Sequence, residues 1–113
     1  MRNLNVYDTA NRLSQEIKSS EEYLNYKTAK EVINLKPELK QKIEEFEKQR
    51  YETQILAMQT GKNDEEKLKK VQELYIELME NADTKRFLDA ETKFNVLIAD
   101  VNKIIGETIR DVM

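Results

Sequence analysis

Thirty residues near the C-terminal end, 83–112, carry a stripe at alternating steps of four and three: Phe87, Glu91, Phe94, Ile98, Val101, Ile105, Thr108 and Val112. That spacing places them on one face of an α-helix. Leu88, Leu97, Ile104 and Ile109 widen the face. At about 1.5 Å per residue the helix spans roughly 45 Å, whereas a compact domain of this length has a radius of gyration near ~13 Å and a diameter of roughly 35 Å. A helix this long overhangs a small globule and leaves apolar surface uncovered. The simplest remedy is a second copy of the chain. Phe87, Phe94, Ile98, Val101 and Ile105 are therefore the candidate residues of a two-fold interface. The competing account is that they form only the subunit's own core, with the helix shorter or bent at Gly106.

Composition supports an all-helical chain. The 113 residues, expected to form a single helical domain over 1–113, include two glycines and one proline. So few turn residues argue against an all-β or α/β fold. Charged residues make up 36% and apolar ones 39%, a balance usual for long exposed helices. The expected architecture is a small bundle of four to five helices with a long C-terminal helix.

The pass along the chain finds helical period throughout. Val6, Ala10, Leu13 and Ile17 make the first stripe. Ser19-Ser20-Glu21-Glu22 reads as a capping box, with Ser19 as cap and Glu22 reaching back. The next face runs through Tyr23, Tyr26, Ala29 or Lys30, and Ile33. Pro37 ends that helix near Leu35 and suits the first turn of the next. Leu39, Ile43 and Phe46 open the third stripe. Arg50 and Thr53 then occupy positions where apolar residues were due, and Tyr51, Ile55 and Met58 run along a neighbouring face. Gly61 is a stop signal. Asn63, with Glu66 three residues on, is the expected cap of a fourth helix whose stripe is Leu68, Val71, Tyr75 and Leu78. Asp83 is the expected cap of the last. The turns predict a hairpin between 37–60 and 64–81, closed by the 83–112 helix. Glu38/Lys42, Glu44/Lys48, Glu65/Lys69, Glu66/Lys70 and Asp89/Lys93 place an acid four residues before a base, the order that supports a solvated helix.

The chemistry available is narrow. There is no cysteine and no histidine. Thiolate nucleophiles, thiolate-held clusters and the commonest general base are excluded. Clusters such as Glu44-Glu45-Glu47 and Asp64-Glu65-Glu66 offer only hard oxygen ligands on helix faces, and a di-metal bundle normally adds Glu-x-x-His motifs. No metal or other cofactor is expected. Glu91, between Phe87 and Phe94, reads either as a buried acid of raised pKa or as an ion-paired or stripe-edge residue, and the second reading is preferred because carboxylates are seldom buried unpaired. Tyr23 and Tyr26 form either a recognition surface or, as is more usual, an inward-packed pair. Lys67, Lys69 and Lys70 are the only local basic cluster and lie among more numerous acids. With a net charge of −3 there is no basic field for nucleic acid. The first twenty residues show no apolar signal segment and no run is long enough to span a membrane, so a cytoplasmic protein is the expectation.

Residues 84–105, TKRFLDAETKFNVLIADVNKII, resemble the YlbF/YmcA-like family of small bacterial helical proteins. The likeness includes Phe87-Leu88-x-Ala90-Glu91 and Asp100-Val101-Asn102. Upstream it takes in Ser20-x-Glu22-Tyr23, Pro37-Glu38-Leu39, the glutamine-rich stretch 49–59 and Gly61. The order of elements matches over nearly the whole chain and is closest to the YheA-type branch. The resemblance implies an all-helical fold that dimerises. Its better-known members act in a bacterial regulatory complex that influences competence, sporulation, biofilm formation and messenger-RNA processing by an endoribonuclease. Their cysteine-held iron–sulfur clusters do not carry over to a chain without cysteine. The leading functional expectation is a non-enzymatic, homo-oligomeric interaction module of regulatory role with a protein partner. The alternative is an accessory factor in RNA processing, acting with a ribonuclease or on RNA. An enzyme ranks third, because no nucleophile–base pair can be named.

Overall fold

A computed structural model describes the backbone of residues 2–112 and the side chains of residues 5–112. Five helices follow one another: α1 (Arg2–Ser19), α2 (Glu21–Asn34), α3 (Pro37–Thr60), α4 (Glu65–Glu80) and α5 (Ala82–Ile109). The chain is all-α, as its turn-poor composition predicts, and ends in a long helix. The helix α5 is 28 residues long and passes through Gly106 without ending there.

Two turns are set by residues whose backbone chemistry favours them. Pro37 stands at the start of α3, after a non-helical Lys36, because its missing N–H and fixed φ suit the first helical position. Gly61 closes α3 at φ 73°, with its N–H donating to the Ala57 carbonyl at 2.8 Å. A side chain there would be strained.

The other caps fall one or two residues from their expected places. Ser20, not Ser19, caps α2: its Oγ accepts from the Tyr23 N–H at 3.2 Å, while the Ser19 hydroxyl turns back to the Gln15 carbonyl. The third helical position is thus Tyr23, and Glu22 is not placed for a reciprocal box. Asp64, not Asn63, caps α4 by accepting from the Lys67 N–H at 3.1 Å. Asn81, not Asp83, caps α5, accepting from the N–H groups of Asp83 at 2.9 Å and Thr84 at 3.3 Å. Asp83 instead pairs with Lys36. We expect Asn81→Ala to cost about 1 kcal/mol in urea unfolding. Asp83→Ala should cost less, because its ion pair is solvated; the reverse order would restore Asp83 as the cap.

The chain divides into two compact units. One joins the residues up to Ala29 with those from Asp89 on, and the other is residues 30–88. The second unit contains the α3–α4 hairpin. Ile33, Ile43, Phe46, Leu78, Phe87 and Leu88 are buried in it. Phe46 and Tyr75 meet with ring centroids 5.9 Å apart, and Lys42 crosses from α3 to Glu77 of α4 at 2.9 Å. The hydrogen bond to Glu77, then that carboxylate's charge, raises the Lys42 pKa. Glu38, one turn back on the same helix, acts on Lys42 through its charge, while the carboxylate that Lys42 bonds lies on the facing helix. Thr84 is fully buried and donates its hydroxyl to the Leu78 carbonyl.

The apparent shift of the α3 stripe has a local cause. Thr53 is buried, and its hydroxyl is hydrogen-bonded to the Gln49 carbonyl one turn back at 2.7 Å. With its polar atom satisfied, the residue fits an apolar position. Tyr51 and Met58, on the neighbouring face, are exposed.

Candidate protein interaction surface

The first unit is built on an antiparallel pairing of α2 with α5. Tyr26 meets Glu91, and Tyr23 meets Phe94, so position falls on one helix as it rises on the other. The rings of Tyr23 and Tyr26 lie 6.0 Å and 5.5 Å from that of Phe94. Both tyrosines pack inward, which is the more usual of their two readings. Glu91 is half-buried and accepts the Tyr26 hydroxyl proton at 3.1 Å. It occupies the edge of the stripe, and its neutral hydrogen-bond partner replaces the cation expected from another helix.

Among the described residues of this unit, only Ala29 and Ala90 are buried. Each large apolar residue keeps part of its surface in water. The stripe of α5 is covered at one end and open at the other. Phe87 is 5% exposed and belongs to the 30–88 unit. Phe94, Ile98 and Val101 are half-buried. Ile105 is 48% and Ile104 66% exposed, and Ile109 and Val112 are also open. Of the five candidate interface residues, then, Phe87 is core, Phe94 rests on two tyrosines, Ile98 and Val101 are half-covered and Ile105 is open. Val6 and Tyr7 of α1, Leu24 of α2 and Val96 of α5 are exposed in the same unit. Gly106 lies along the open end, and beyond its own stretch of helix no described residue comes within 4 Å of where a methyl would stand.

The other sequence candidates do not assemble into a site. Among the described residues no three Asp or Glu side chains converge as cation ligands. Lys69 and Lys70 share a surface groove with Glu66, Glu73 and Glu77, so the basic cluster is locally offset by acids. No described helix is long and apolar enough to cross a membrane. One surface escaped the sequence reading. Tyr75, counted there in the α4 core stripe, is 44% exposed, and it shares a shallow groove of about 370 Å³ with Phe46, Val71, Gln72 and Ile76. The signal was present in sequence as a second apolar row on α4.

Comparison with known proteins places these features in a lineage. Residues 6–110 match the family described as control of competence regulator ComK, YlbF/YmcA. The chain is 35% identical to a UPF0342 protein of Symbiobacterium thermophilum, over 92% of this chain and 93% of that one. It is 37% identical to a UPF0342 protein of Halothermothrix orenii, over 88% and 85%. Its fold is similar to a chain in the crystal structure of Bacillus subtilis RicA in complex with RicF. The TM-score is 0.60 at 22% identity, covering 96% of each chain.

Proposed function

This chain belongs to the YlbF/YmcA family, and from that membership and its open helical face we propose that it is a cytoplasmic, non-enzymatic interaction module of regulatory role. It works by presenting the C-terminal stripe of α5 to a second copy of itself and by holding a protein partner on the assembled dimer. The observation that carries this reading is the uncovered end of α5 in a unit whose only buried side chains, among those described, are two alanines. Such a unit has little core of its own, and burial of Ile98, Val101, Ile105 and Ile109 against another helix supplies about 1.5–3 kcal/mol for each side chain fully covered. Further support comes from the similarly folded chain, which was crystallised in a complex of RicA with RicF.

The test is affinity capture of the tagged chain from its native lysate, with and without nuclease. Co-purification of a protein partner that survives nuclease and is lost on Ile105→Asp is expected. Recovery of RNA alone, or of a protein that nuclease removes, would replace the module with an RNA-bound accessory factor.

A further inference from the structure

We draw no further inference here: the strongest candidate, the open apolar patch of α4 at Tyr75 and Ile76 beside Phe46, has acids already matched by bases, Glu77 by Lys42 and Glu73 in one groove with Lys69 and Lys70, and nothing in the structure shows what covers it.

Discussion

Replacing Phe46 by alanine is expected to lower the stability of this protein by about 3–5 kcal/mol, the usual cost of emptying a large buried aromatic site. Phe46 is 4% exposed, packs its ring on Tyr75, and carries Arg50 above it. One substitution therefore removes a core side chain, an aromatic contact between the two arms of the α3–α4 hairpin and a cation–π contact within α3. Small domains hold only about 5–15 kcal/mol in total, so the variant should melt on the order of 15 °C lower. Tyr51→Ala, on the exposed neighbouring face of the same helix, is the comparison and should change stability by less than about 0.5 kcal/mol. Urea unfolding of the pair measures the difference. A loss under about 1 kcal/mol at Phe46 would mean that the hairpin is not held at this point.

The second large effect is on association. The unmodified chain is expected to sediment as a dimer at tens of micromolar. Ile98→Asp is expected to give a monomer that keeps much of its helicity. Every change in a two-fold interface acts twice, and a charge placed in a desolvated apolar contact loses its hydration without gaining a partner. Ile98 is half-buried within its own subunit, so this variant could instead unfold the chain. Ile105→Asp removes that ambiguity, because Ile105 is open in the subunit and contributes little to its core. A folded monomer from Ile105→Asp supports the interface. A dimer that persists in this variant, or an unmodified chain that is already monomeric, ends the proposal.

How much of this was legible from residues alone depended on how unique each local constraint is. Pro37 and Gly61 mark their turns because proline is strongly favoured at a helix start and glycine at a left-handed helix end. The caps at Ser20, Asp64 and Asn81 were misplaced by one or two positions because each lies beside another Ser, Asn or Asp of equal capping chemistry. Thr53 looked like a break in the α3 stripe because sequence does not reveal that its hydroxyl is satisfied by Gln49. Tyr75 was assigned to the α4 core because a period of 3.6 residues does not separate two adjacent rows on one helix. The stripe of α5 was plain, yet its period names a face and not what covers it. Phe87 lies in its subunit's core, Phe94 on two tyrosines and Ile105 in water. Glu91 was placed at the stripe's edge, but its partner, Tyr26, is 65 positions away and beyond the reach of any local pattern.

That separation also orders the events of folding. The arms of the α3–α4 hairpin are neighbours in sequence and close a short loop at small entropic cost. The pairing of α2 with α5 joins segments that precede and follow the hairpin in sequence, 65 positions apart at Tyr26 and Glu91. On the ribosome, α3 and α4 can therefore pair while α5 is still being made, and Tyr23 and Tyr26 wait with their rings uncovered until Phe94 emerges. The stripe of α5 proposed for association is made only after the hairpin that precedes it.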